Sequence, residues 1–496
     1  MSNAQETTPL LGEEAGKPTK RYGWHYVLAG VAFVLVTAAV IVSVVLSVRH
    51  SPKAYAPGSF FVNITKAPSF CDAPATAWTG HIGLTGDTEE SPKRSFFWYV
   101  EAEKKPETAP MVLTVGGGPG TSGLTRMWLG DGPCIISQEE KRAVSNPDRW
   151  TKEFNYLAID HPVGVGFSYG QMVNSSADAA RDIYDFLQRF YSLHPDLQKN
   201  DLILNGGSYG GMYLPHMAHE INEQNKLLAL GKAKSGTKHI NLESIMISNP
   251  MLDPISHITG LPLSMCKYHQ IWNETECTEL YEAVPSIIEL MRRAVASPTL
   301  EHKIPALHAM GHWEAKDLHG VSRENLRSRC NGQLVDCHPR LPLTADLLNS
   351  VKSSLGIPEF LNFTAWKPEI AELFDANGDM MQDSTRFFPQ LLKDGIRILH
   401  RVGMLDLNCA WPGVLSALKR VPTPYQDEFI NAADIPWPGE ETEATFRVIG
   451  QGAGEFTYVQ LHNAGHFVGA DAPRMELKLA QHWIYNKAFD QTDLSD

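Results

Sequence analysis

The chain has 496 residues, enough for one large domain or two ordinary ones. Its 43 Lys+Arg against 56 Asp+Glu give a net charge of −13, which argues against binding nucleic acid or an anionic membrane through a soluble part. With 43% hydrophobic and 20% charged residues and no evident repeat, the composition is globular and not low-complexity.

Residues 1–25 form a polar tail that contains Glu6-Thr-Thr-Pro-Leu10-Leu11, the pattern of an acidic dileucine signal read by sorting adaptors; the plainer reading is a disordered polar tail. Residues 26–48 then run 23 residues without a charge, about 34 Å as a helix and long enough to cross a bilayer. A cleaved signal peptide has a shorter apolar core and a shorter polar lead, so the expectation is one transmembrane signal anchor over 26–48, a linker over 49–60 and a lumenal domain over 61–496. Lys17, Lys20 and Arg21 before the segment and Arg49 and Lys53 after it leave only a slight positive-inside bias. Orientation rests instead on four glycosylation acceptors, at Asn63, Asn174, Asn273 and Asn362, which make sense on the lumenal side. Seven cysteines, at 71, 134, 266, 277, 330, 337 and 409, favour an oxidising compartment. Six can pair, and Cys266 with Cys277 would close a small loop, but spacing alone does not fix the pairing. The expected topology is a single-pass type II membrane protein of the secretory pathway, routed to endosome, lysosome or vacuole where the dileucine is read.

Past the anchor, short apolar runs alternate with amphipathic segments. MVLTV (111–115), YLAI (156–159), LILN (202–205), SIMIS (244–248), IRILH (396–400) and TYVQL (457–461) read as buried parallel strands. Between two of them, SSADAARDIYDFLQRFYSL places Ile183, Phe186, Leu187, Phe190 and Tyr191 on one helical stripe, with Ser175 and Asp178 suited to cap its start. This βαβ rhythm predicts an α/β domain. It breaks from about 253 to 363, where four cysteines cluster and SIIELMRRAVA has helical spacing, the mark of a mostly helical cap insertion.

Gly206-Gly207-Ser208-Tyr209-Gly210-Gly211 fits a nucleophile elbow, in which flanking glycines allow the sharp turn that presents a serine hydroxyl above the strand ends. Alone the pattern is equally that of an ordinary glycine-serine loop. A serine hydroxyl needs a histidine base oriented by a carboxylate, in the chain order Ser, Asp, His. Asp406 follows the strand IRILH and His466 follows TYVQL, which satisfies that order. VGGGPG (115–120) follows MVLTV where half of an oxyanion hole is built, which makes the Gly118 and Tyr209 N–H groups the candidate donors. Gly118, Gly120 and Gly123 also match a nucleotide-loop spacing, but no long helix follows before Gly132-Pro133, and Leu124 stands where a phosphate loop needs Lys. No cofactor motif or metal site is read.

The blocks FFWYVEAEKKP, GGGPG, NYLAIDHPVGVGFSYG, GGSYGGMYLP, GMLDLNCAW and NAGHFVGADAP, in this order, resemble the serine carboxypeptidase family over roughly residues 60–490. The resemblance implies an α/β-hydrolase fold with a helical cap, a triad of Ser208, Asp406 and His466, and Cys409 as the free thiol by the active site. It implies a hydrolase working through an acyl-enzyme, which removes C-terminal residues from peptides.

The departures from that pattern bear on substrate. Where the family holds the substrate carboxylate with an Asn, a Glu and a second Glu, this chain has Gly116, Gly130 and Gly207, with Gly117 and Phe467 completing the candidate pocket. Met404 replaces the second acid near Asp406, and Phe467-Val468-Gly469 replaces Met-Val-Pro after the histidine. Three readings follow. A peptidase would need Arg126 or His161 to meet the carboxylate. An esterase or acyltransferase would use a pocket widened by three lost side chains. A non-enzymatic binding protein would more naturally have lost a triad member, and none is lost.

Overall fold

Three strands open the domain: β1 (Phe61–Ala67), β2 (Ala77–Gly83) and β3 (Lys93–Val100). β4 (Met111–Thr114) follows, then a hairpin of β5 (Cys134–Ser137) and β6 (Arg142–Ser145) outside the main sheet. β7 (Asn155–Ile159), β8 (Tyr169–Gly170), β9 (Leu202–Ser208) and β10 (Leu242–Pro250) precede the long insertion. After it come β11 (Arg397–Gly403), β12 (Ile435–Pro436), β13 (Ala444–Ile449) and β14 (Phe456–Leu461). The computed structural model describes residues 61–329 and 338–491. The expected tail, dileucine, anchor and linker, and Cys330 and Cys337, lie outside the described residues. Among the described residues no helix is long and apolar enough to cross a membrane.

The strand order is β1-β2-β3-β7-β4-β9-β10-β11-β14-β13-β12, with β8 on β3. From β7 to β14 every pair is parallel, and these six are the runs expected from sequence. Antiparallel strands flank them on both sides. Neighbouring residues on a strand point to opposite faces. Met111, Leu113, Leu202, Leu204, Ile245 and Ile247 accordingly join one apolar cluster, which includes the stripe Ile183, Phe186, Leu187, Phe190 and Tyr191 of the helix Ser176–Leu193. Val112, Ile203, Met246 and Leu399 join a second, with Leu479 and Trp483 of the helix Pro473–Ile484. Helices cover both faces, so the central strands carry no polar face. Ser175 caps its helix by accepting from the Asp178 N–H, as expected.

Between β10 and β11 the chain is helical, with helices Pro254–Pro262, Glu274–Ala296, Leu300–Glu314, Arg340–Val351, Pro368–Ala376 and Phe388–Lys393. Asn273 and Glu276 form a reciprocal capping box at the second of these. Leu280, Ile287, Met291 and Met310 bury into the same cluster as the sheet, so the insertion shares the domain's core. Cys71–Cys134 and Cys266–Cys277 are disulfides, and Cys409 is a buried free thiol. Asn63, Asn174, Asn273 and Asn362 are all exposed.

Candidate active site

β9 ends on Ser208, whose φ is +58°, and the helix Gly210–Ala229 begins two residues later. A non-glycine residue in the left-handed region costs about 1–3 kcal/mol and persists only where its surroundings hold it. Here the Met251 N–H donates to the Ser208 carbonyl oxygen at 3.0 Å. Gly117 lies so close that a Cβ there would stand 2.7 Å from Ser208 Cβ and 3.0 Å from the Tyr209 nitrogen. Glycine at 117 therefore lets the 116–118 loop approach the elbow. Among the described residues neither the Gly118 nor the Tyr209 N–H is committed to a backbone carbonyl, which leaves both free to meet a developing oxyanion.

Asp406 and His466 reach the same edge from the C-terminal ends of β11 and β14. His466 Nδ1 lies 2.8 Å from Asp406 Oδ2, within reach to donate a hydrogen bond to that carboxylate. Asp406 is fully buried, and its Oδ1 accepts from the Asn408 and Cys409 N–H groups at 2.7 and 3.2 Å. Asn249 ties the two loops together: its Nδ2 donates to the Gly465 and His466 carbonyls at 2.9 Å each, and its Oδ1 accepts from the Gly403 N–H at 2.8 Å. Cys409 carries a buried free thiol beside Ser208 and Asp406. Burial, reinforced by the nearby acids, pushes that thiol well above its ordinary value and keeps it un-ionised.

Glu324, contributed by the helical insertion, stands on the other side of the imidazole. Its Oε2 is 3.7 Å from His466 Nε2, and the His466 N–H donates to its carbonyl oxygen at 2.6 Å. Burial opposes the charge of His466, but the Asp406 and Glu324 carboxylates outweigh it and raise its pKa to about 9.

These groups line a pocket of about 320 Å³ together with Gly116, Gly117, Gly118, Arg126, Gly207, Ser248, Trp366, Asn408 and Phe467. The Phe467 ring stands edge-on to His466. Trp366 is 45% exposed, with its Nε1 donating to the Pro119 carbonyl at 3.0 Å, which presents an apolar ring to whatever enters.

Three expectations are corrected here. Gly130 does not line the pocket; a Cβ there would collide with the Gly469 backbone, and one at Gly469 would meet Asp131 Oδ1 at 2.7 Å. The departures at 130 and 469 thus form one close contact between two backbones. Nor is the pocket widened by the glycines. A Cβ at Gly116 would strike the Thr121 carbonyl, and one at Gly207 would strike Ser248 Oγ and stand 3.4 Å from Arg126 Nη1, so other atoms already fill both positions. His161 is also displaced from its expected role. It is buried against the edge of Tyr213, desolvation lowers its pKa to about 3, and it does not reach the pocket.

Sequence reasoning missed Asn249, Ser248 and Glu324. Ser248 and Asn249 stand at the C-terminal end of a parallel strand, where site residues gather, and that position was a usable signal. Glu324 lies in the irregular part of the insertion, and no local pattern marks it.

A serine carboxypeptidase family model matches residues 68–486. The chain is 29% identical to carboxypeptidase Y homolog A of Neurospora crassa, over 82% of its own length and 72% of the relative's. It is 28% identical to a vacuolar serine-type carboxypeptidase of Saccharomyces cerevisiae, over 84% of this chain and 80% of the other. A solved prohormone-processing carboxypeptidase from the same yeast superposes with a TM-score of 0.68 at 20% identity, covering 82% of this chain and 91% of that one, and shares the fold. The matched span contains the elbow, the Asp406–His466 pair and the sheet that aligns them; on the α/β-hydrolase fold so established, the chain belongs to the serine carboxypeptidase family.

Proposed function

We propose that Ser208 is the nucleophile of this serine carboxypeptidase, with His466 as general base, Asp406 as its orienter, and the Gly118 and Tyr209 N–H groups as oxyanion donors. The observation that carries the reading is the His466–Asp406 hydrogen bond of 2.8 Å at the same strand-end edge as the strained Ser208. Ser208 Oγ attacks the scissile carbonyl as His466 Nε2 takes its proton; the same proton then goes to the departing amine, and water repeats the sequence to release the acyl group. The tetrahedral oxyanion is met by donors already in place, so little reorganisation opposes its formation.

A fluorophosphonate should label the full-length protein at Ser208, and Ser208→Ala should abolish both labelling and peptide turnover. Labelling that survives the substitution would overturn the assignment. Turnover of acyl esters but of no peptide would move the reading to an esterase or acyltransferase.

The proposed topology is type II, with residues 26–48 in the membrane and the catalytic domain lumenal. Four exposed acceptor asparagines and two disulfides support it. Endoglycosidase should raise the gel mobility of protein made in a glycosylating host, and unchanged mobility would count against lumenal exposure. Replacing Leu10 and Leu11 with Ala should divert the protein toward the cell surface; an unchanged location would remove the dileucine from the reading.

A further inference from the structure

Apart from His466, Arg126 is the residue with a cationic side chain among those lining the pocket of Ser208. Its guanidinium is fixed on three sides. Nε donates to Asp131 Oδ2 at 3.0 Å, Nη1 to Ser248 Oγ at 2.9 Å, and Nη2 to Glu476 Oε1 at 3.3 Å. The partners are themselves held. Glu476 also accepts from Arg401 Nε at 2.9 Å, Arg401 Nη2 donates to Asn205 Oδ1 at 2.7 Å, and Asp131 Oδ2 accepts from the Tyr156 hydroxyl at 3.2 Å. A guanidinium has five N–H donors; among the described residues these three bonds account for three of them, which leaves one hydrogen on each Nη for a ligand.

Position and charge agree with that use. Nη1 lies 3.4 Å from where a Cβ on Gly207, the residue before Ser208, would stand. The side chain is 15% exposed, enough to face a ligand while its fixed partners remain buried. Burial opposes the positive charge, but Asp131 and Glu476 outweigh it and hold the guanidinium above its ordinary value. It stays charged wherever the enzyme is folded.

We infer that Arg126 binds the C-terminal carboxylate of the peptide substrate, as a fixed cation set one residue from the nucleophile. This rests on the carboxypeptidase reading above, and it makes Arg126 a specificity-determining residue. Glycine at 207 is then required, because any side chain there would displace Ser248 Oγ from the guanidinium. Asp131 does not compete as a recognition group, since it is buried behind Arg126 and does not line the pocket.

The test compares a blocked peptide with its C-terminal amide on the full-length enzyme and takes the ratio of kcat/KM within each variant, so that damage common to both substrates cancels. The wild type should favour the free acid by about tenfold or more, the scale of a charge-assisted bidentate contact. Arg126→Gln should bring the ratio near one, chiefly through a higher KM for the free acid. Arg126→Lys keeps the charge without the fork and should fall between the two; it also carries the test if the Gln variant, with Asp131 and Glu476 left unpaired, does not fold. A ratio in Arg126→Gln or Arg126→Lys equal to that of the wild type overturns the inference. A wild type that labels with fluorophosphonate yet shows no preference for the free acid overturns it too, while the triad stands. A wild type that does not label at Ser208 removes the carboxypeptidase reading itself.

Discussion

The edge that carries Ser208, Asp406 and His466 and the wall that carries Gly116, Gly207, Ser248 and Arg126 belong to one pocket but are built differently. At the edge each residue leaves the C-terminal end of a parallel strand, so the sheet's register places it, and short backbone bonds trim its position. At the wall, placement depends on side chains far apart in sequence; Arg126 meets Ser248 and Glu476, 122 and 350 residues away. The first arrangement tolerates change around it as long as the strands pair. The second holds only as a set, because a Cβ at 207, the Ser248 hydroxyl and the guanidinium would contend for one volume.

The largest expected effect falls at the edge. Asp406→Asn should lower kcat by roughly 10⁴-fold, the size found when the orienting carboxylate of a comparable triad is neutralised, because the amide no longer favours the Nδ1–H tautomer. Near-normal turnover would show that another acid orients His466 and would remove the distinction between edge and wall.

At the wall, Gly207→Ala sharpens the comparison. Its Cβ would strike Ser248 Oγ, which can rotate, and stand 2.8 Å from the Ser248 carbonyl oxygen, which cannot without moving β10. Overpacking of this kind costs about 1–3 kcal/mol, to be read as a lower unfolding midpoint together with weaker peptide turnover. A variant as stable and active as the wild type would show that the wall is not closed against position 207.

The smallest effect tests where edge and insertion meet. His466 must be neutral to accept the serine proton, so kcat/KM should rise with pH through the region set by its pKa of about 9. Glu324 is one of the charges that raise that value. Glu324→Gln should therefore lower the pKa, move the rising limb to lower pH and increase activity near neutrality. A limb that stays in place, or moves upward, would place Glu324 outside the electrostatics of the base.

The parallel strands were legible because burial on both faces leaves them continuously apolar, as in MVLT and NYLAI, whereas β2, with Thr79 and His81 among its buried residues, gives no such run. The elbow and the Asp406 and His466 loops were legible for a related reason: a glycine-flanked serine and residues just past an apolar run are local patterns. The identity of the departures from the family pattern was legible as well, but their meaning was not. An absent side chain reads in sequence as an empty volume.

Sequence by itself thus determined the chain order of Ser208, Asp406 and His466, the sheet's parallel centre and the glycine positions, since each depends on residues within a few places of one another or on strand periodicity. Tertiary structure alone decided that Gly130 faces the Gly469 backbone, that His161 turns into the core and that Glu324 reaches His466. It also decided that Arg126 stands beside Gly207. The physical reason is excluded volume: which atoms fill the space beside a glycine depends on every chain segment packed around it, and those segments are joined by the fold and not by the sequence.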